Sequence, residues 1–154
     1  MGKNKWKAIL LPLAVGFVAS LLTREAMDDY VEMIKPPLSP PANLFPIVWT
    51  ILYILMGVGY YLVVKSDESK EDIASAMRVY GLQLAVNFLW PTFFFNFQWY
   101  LFSFVWLVLL WVLVLMMIVR FWRVSKVASI INIPYLIWLT FAAYLNIGVY
   151  FLNK

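Results

Sequence analysis

From Val79 to Val119 the chain runs 41 residues without an Asp, Glu, Lys or Arg. At about 1.5 Å of rise per residue, a helix of that length is roughly twice the ~30 Å of a bilayer's hydrocarbon core. One straight span cannot use it. The stretch is expected to fold back as two membrane helices, bending in its most polar part, Asn96-Phe97-Gln98-Trp99-Tyr100.

Three more charge-free runs agree: Ala8–Thr23 (16 residues), Pro36–Val64 (29) and Val127–Asn153 (27). Charged residues make up 13% of the chain, against about 25% in an ordinary soluble domain. The runs do not alternate apolar and polar at every second residue, as barrel strands would. The predicted fold is an all-α integral membrane protein, a single five-helix transmembrane bundle. Its spans are expected at about 6–27, 45–64, 73–95, 99–121 and 127–151, leaving no room for a second, soluble domain. The last turns of the first span, Thr23-Arg24-Glu25-Ala26-Met27, are expected to be helical and interfacial. The fifth span carries Pro134 in its first half.

The loop 28–44 contains Asp28, Asp29, Glu32 and Lys35, then two proline pairs, Pro36-Pro37 and Pro40-Pro41. These pairs stiffen the chain and cannot be helical. The loop is either a rigid spacer or a lid over the end of the bundle.

Five spans put Lys3, Lys5, Lys7, Lys65, Lys70, Arg78, Arg120, Arg123 and Lys126 on one side, and only Arg24, Lys35 and Lys154 on the other. That asymmetry predicts a cytoplasmic N-terminus, with Lys5 and Lys7 snorkelling. It also accounts for the net charge of +4, so no nucleic-acid partner is implied. Lys3-Asn4-Lys5-Trp6-Lys7 ahead of Ala8–Leu22 has the layout of a secretory leader, with Val18-Ala19-Ser20 as a weak cleavage site. First spans of multi-span proteins look the same, and it is read as one.

The chain has no Cys and no His. Disulfides, the usual zinc sites, His- or Cys-ligated haem and His-based catalytic triads are excluded, and no metal or cofactor is expected.

Function is sought in the polar groups left inside the spans. Span two carries Trp49, Tyr53, Met56 and Tyr60 on one helical face. Span three carries Tyr80, Gln83, Asn87, Trp90 and Phe94 on one face, and span five carries Asn132, Tyr135, Trp138 or Leu139, Ala142, Leu145 and Asn146. An unpaired amide in hydrocarbon costs several kcal/mol, so Gln83, Asn87 and Asn146 should face the bundle interior. They either bond helix to helix or line a cavity with flat aromatic walls, suited to a large planar apolar molecule. For Asn87, with Trp90 one turn on, the pocket is preferred. Trp106 and Trp111 are read as packing or lipid-facing. On the opposite face of span three, Gly81 and Ala85 form a small-xxx-small pair, a candidate homodimer seam. Leu145, Tyr150 and Lys154 meet a weak cholesterol-contact pattern.

Several motifs are family-like. Lys35-Pro36 with Pro40-Pro41, then Val48-Trp49-Thr50-Ile51-Leu52-Tyr53 and Met56-Gly57, resembles the loop and second helix of the translocator protein family, also called tryptophan-rich sensory proteins or peripheral benzodiazepine receptors. Gln83-Leu84-Ala85, Asn87, Trp90-Pro91 and Phe93-Phe94 resemble its third helix. Pro134-Tyr135-Leu136, Trp138-Leu139, Phe141-Ala142 and Leu145-Asn146 resemble its fifth. The resemblance implies a five-helix bundle, commonly dimeric, that binds porphyrins and benzodiazepine- or isoquinoline-type drugs. Mitochondrial members also bind cholesterol. It maps the ligand pocket onto Trp49, Asn87, Trp90, Trp138, Ala142 and Leu145, with Ala19 added from the first helix. Some bacterial members are reported to break down protoporphyrin in light, which would assign Trp49 and Trp138 a photochemical role. In one departure, Asp29-Tyr30 stands where the family usually has Trp-Tyr, which removes one ring from the loop. The short tail differs from mitochondrial members. It weighs against a sterol role. The expected location is a bacterial cell membrane.

The leading expectation is a receptor or sensor with the site Ala19, Trp49, Tyr53, Gln83, Asn87, Trp90, Trp138, Ala142, Leu145 and Asn146, and with Arg24 or Lys35 at its mouth to meet propionates. The alternatives are a light-dependent porphyrin-degrading enzyme and a transporter of porphyrin or lipid-like ligands. Ordinary acid–base catalysis has no residues to support it.

Overall fold

The computed structural model describes residues 2–41 and 43–153, with side chains for residues 6–26, 28–41 and 43–153. Lys154, which ends the cholesterol-contact pattern, and the side chains of Lys3 and Lys5 lie outside the described residues. Every regular element described is helical: α1 Gly2–Thr23, α2 Met27–Glu32, α3 Leu44–Val64, α4 Lys70–Pro91 continued by a π-helical turn Thr92–Asn96, α5 Tyr100–Val124, α6 Lys126–Ile130 and α7 Ile133–Asn153.

Among the described residues four stretches are long and apolar enough to cross a bilayer: Trp6–Thr23, Leu44–Val64, Tyr100–Val124, and Lys126–Asn153 taken through its break. Against the expected five, α4 falls short by composition. It is 22 residues long, but Glu71, Asp72 and Arg78 sit in its first half.

Local chemistry explains where the helices differ from the expected spans. The first helix stops at Thr23, and residues 24–26 form a turn before α2. The Thr23 hydroxyl donates to the Ala19 carbonyl at 3.0 Å, and the charged Arg24-Glu25 pair follows it. The expected continuous helix through Met27 is therefore replaced by a turn and a new short helix. α4 begins earlier than expected because Ser69 caps it, accepting from the backbone N–H of Asp72 at 3.2 Å. Pro91 has no N–H to give to the preceding turn, and the chain widens beyond it into the π turn, with Phe97 N–H donating to Thr92 O at 3.0 Å. The reversal follows at residues 97–99, with Gln98 in the left-handed region at φ 55°. The fifth expected span is two helices. Pro134 leaves the Ile130 carbonyl without its helical donor, so α6 ends at Ile130 and α7 restarts at Ile133. At the break Asn132 Nδ2 donates to a different carbonyl, Ala128 O, at 2.8 Å.

α1 packs on α3 and α4, α4 on α5, and α5 on α7. The α1–α3 crossing is close because Gly57 has no side chain: a Cβ there would lie 2.5 Å from Ile9 Cα and 2.8 Å from Ala8 O. The core between the helices holds Met56, Val63, Val114, Met117, Phe121 and Leu139, each fully buried. Outward faces remain greasy, with Phe17, Ile47, Ile51, Val105 and Ile137 exposed. In water such continuous apolar faces would drive aggregation, whereas a bilayer accommodates them.

The segment after α2 lies against the end of the bundle. Tyr144 donates to Pro37 O at 2.7 Å, Asn153 Nδ2 donates to Ile34 O at 2.6 Å, and Pro36 fills the space above Gly148. Tyr30 is 1% exposed. It sits edge-on to Phe45 and Phe95, with centroids 5.6 and 5.5 Å away.

Candidate ligand site

A cavity of about 700 Å³ opens between α1, α3 and α4 at the end of the bundle where α1 stops. α3 supplies Phe45, Pro46, Trp49, Thr50 and Tyr53 at helical steps. α4 supplies Asn87, Trp90 and Pro91, and the π turn adds Phe95. α1 supplies the third wall through Leu13, Gly16, Phe17, Ala19, Ser20 and Thr23, ending at Arg24. Leu107 and Leu110 of α5 lie behind.

The α1 wall is thin because its inward residues are small. Gly16 lies directly against the Tyr53 ring, where any Cβ would collide. Opposite, Trp49 and Tyr53 are tilted at 32° with centroids 5.6 Å apart. Trp90 stacks on Phe94 at 5.1 Å and meets Phe95 edge-on at 5.9 Å. Flat rings thus face the void from two sides.

The polar groups at the inner end are engaged with one another. Tyr53 donates its hydroxyl proton to Asn87 Oδ1 at 2.7 Å. Asn87 Nδ2 donates to the Tyr135 hydroxyl at 2.6 Å, and Tyr135 donates onward to Gln83 Oε1 at 2.8 Å. Gln83 Nε2 ends the chain at Met56 Sδ, 3.8 Å away. This file links α3, α4 and α7 and leaves the floor of the cavity without a free amide.

Of the residues singled out from sequence, Ala19, Trp49, Tyr53, Asn87 and Trp90 line the cavity. Gln83 lies one turn deeper, wholly buried. Trp138 stands behind the lining, edge-on to Trp49 at 6.5 Å and to Phe45 at 5.9 Å, and its buried indole N–H has no partner among the described residues. Ala142, Leu145 and Asn146 are buried on α7 away from the lining. Asn146 accepts from Trp90 Nε1 at 3.0 Å and donates to Tyr100 O at 2.7 Å. Trp106 and Trp111 also serve as donors between helices, to Val86 O at 2.8 Å and Thr140 Oγ1 at 2.9 Å.

Most of the α1 wall was missed from sequence. The available signal was the run of small residues Gly16, Ala19, Ser20 and Thr23 at steps of three and four. Of the two cations expected at the mouth, only Arg24 lines the cavity. Lys35 turns away, its Nζ donating to the carbonyls of Tyr30, Val31 and Met33 at 3.0–3.3 Å and lying 5.0 Å from the Tyr30 ring centre.

Comparison with known proteins gives a consistent result. A family described as TspO/MBR matches residues 8–152. The "Tryptophan-rich protein TspO" of Chlorobaculum tepidum is 40% identical, over 93% of this chain and 91% of that protein. Its namesake in Archaeoglobus fulgidus is 36% identical, over 95% and 94%. The sheep (Ovis aries) "Translocator protein" is 36% identical, over 89% and 82%. Likeness of this extent, spanning every helix that walls the cavity, places the chain in the TspO/MBR family of membrane proteins.

Proposed function

We propose that the protein is a membrane receptor for flat, mostly apolar ligands of the porphyrin type, held in the cavity between α1, α3 and α4. The observation that carries this reading is a void of about 700 Å³ faced by Phe45, Trp49, Tyr53, Trp90 and Phe95. Its volume falls within the range of small-molecule sites. Because the inner phenols and amides already bond one another, recognition there rests on ring contact and shape, which suits a planar guest. Benzodiazepine- and isoquinoline-type drugs are flat enough to use the same walls. The names of relatives, "Tryptophan-rich sensory protein" for one from Cereibacter sphaeroides and "Translocator protein" for others, agree with a ligand-handling role.

On this reading α4 and its π turn are the fifth crossing. The uncharged part from Val79 to Asn96 enters the hydrocarbon. Arg120 Nη1, donating to Ser75 O at 3.1 Å, marks the inner boundary. The lysine-rich end faces the cytoplasm of a bacterial cell, and the segment from α2 to Pro41 acts as a lid. Gly81 and Ala85 are exposed, with open space at Gly81, which leaves that face of α4 free to meet a second copy.

A second reading, light-dependent breakdown of a bound porphyrin, is favoured by one observation: the edge-to-face pair of Trp49, on the cavity wall, and Trp138 behind it.

Tryptophan fluorescence during titration with protoporphyrin tests the first reading. Saturable quenching is expected. It should weaken in Asn87→Leu, which releases Tyr53 from the wall. Unsaturable quenching, equal in the variant and in free tryptophan, would refute it. Illumination of the complex tests the second reading: undiminished product from Trp138→Phe removes it.

A further inference from the structure

Almost every polar group lining the cavity is already committed. Tyr53 and Asn87 belong to the inner file of hydrogen bonds. The Thr23 hydroxyl donates to Ala19 O, the Thr50 hydroxyl to Pro46 O at 2.6 Å, and the Trp90 indole to Asn146. What is left is Arg24, the one charged residue in the lining, with the Ser20 hydroxyl one turn before it. Among the described residues no ion pair or hydrogen bond engages the Arg24 guanidinium, although Glu25, Asp28 and Asp29 are its neighbours in sequence. The cavity is therefore polarised, with aromatic walls, a saturated floor, and an unengaged five-donor fork at the rim where α1 ends.

We propose that Arg24 is the anion-recognising end of this cavity, making it selective for flat apolar molecules that carry a carboxylate over the same molecules with that acid masked. The inference rests on the receptor reading above and adds to it the chemical class of the ligand and the residue that reads it. A guest stacked between Trp49 and Trp90 directs its acid toward the rim, where the guanidinium offers paired N–H donors. The carboxylate stays at the interface and avoids the hydrocarbon, where it would be strongly disfavoured. Arg24 pairing with a lipid phosphate would use the same chemistry, so the test must separate the two sources.

Protoporphyrin and its dimethyl ester are titrated into the wild type, Arg24→Gln and Arg24→Lys in a non-ionic, phospholipid-free detergent, and again with anionic phospholipid added. In detergent the wild type is expected to prefer the acid. Arg24→Gln should weaken the acid about five- to tenfold and leave the ester unchanged. Arg24→Lys should fall between, since it keeps the charge and loses the fork. Unchanged ester binding also certifies that the Gln variant is folded. The proposal is overturned if acid and ester weaken together, or if neither changes. It is also overturned if Arg24→Gln alters only the response to phospholipid, which would make the lipid phosphate its partner. If the wild type binds neither compound, the receptor reading fails with it; if it binds both alike and the variant matches it, only the role of Arg24 fails.

Discussion

The indole N–H of Trp90 donates to Oδ1 of Asn146 across 3.0 Å. Because Asn146 also donates from Nδ2 to the Tyr100 carbonyl at 2.7 Å, one carboxamide joins α4, α5 and α7. Asn146→Leu would leave a buried indole N–H unpaired and remove the side-chain bond to the Tyr100 carbonyl, at a cost of about 1–3 kcal/mol. Thermal unfolding in detergent should show the loss, and Trp90→Phe combined with Asn146→Leu should recover part of it. A strictly additive double variant would show that the two residues are not coupled.

Trp138 behaves oppositely. Its indole N–H is buried without a partner among the described residues, so Trp138→Phe removes an unsatisfied donor and keeps a ring beside Trp49. Stability should change by less than about 1 kcal/mol. The unfolding midpoint measures this. An unmoved midpoint makes any change in ligand response attributable to the site rather than to unfolding.

Gly57→Val should be among the most damaging single changes in the bundle. The new side chain meets the backbone of Ile9 and Ala8, and backbone cannot rotate out of the way. A loss of about 2 kcal/mol or more is expected, together with a weaker protoporphyrin response, because α1 is one wall of the cavity. Retained binding with a lowered midpoint would show that the cavity does not depend on this crossing.

Tyr30 links the loop to the aromatic end of the bundle. Burial pushes its phenol up to about 12, above the ordinary value of 10.0. The folded state thus favours the neutral ring. That contribution is complete below pH 10 and is lost as the pH rises toward 12. The hydroxyl has no partner among the described residues, so Tyr30→Phe should retain stability at neutral pH and resist alkaline loosening better than the wild type. Tyr30→Ala should cost about 3 kcal/mol. Proteolysis of the loop across this pH range, compared among the three proteins, checks the order.

Much of the frame was legible in the sequence. Charges bound the apolar runs, and the polar cluster before Tyr100 marks the reversal, because neither tolerates hydrocarbon. Two prolines were also visible, but their outcomes were not. Pro91 leads into a π turn, whereas Pro134 splits a helix, since the outcome depends on how neighbouring backbone and side chains rearrange their hydrogen bonds. At Pro134 the side chain of Asn132 turns back to the Ala128 carbonyl. The site was legible in part. The α3 and α4 stripes announced themselves through Trp49, Tyr53, Asn87 and Trp90. The α1 wall did not, because small residues carry no sign of a ligand until something large stands opposite them.

The sequence by itself determined that this chain lives in a bilayer, roughly where its apolar helical stretches lie, and which residues share a helical face. Only the tertiary structure decided which face meets which neighbour. Periodicity fixes a residue's angle about its own axis, but the rotation and crossing of one helix against another are set by close contacts such as Gly57 on Ile9 and by hydrogen bonds between distant residues such as Tyr135 and Gln83. Those contacts engaged Gln83 and Asn146 in bonds between helices, and among the described residues they left Arg24 unengaged at the rim of the void.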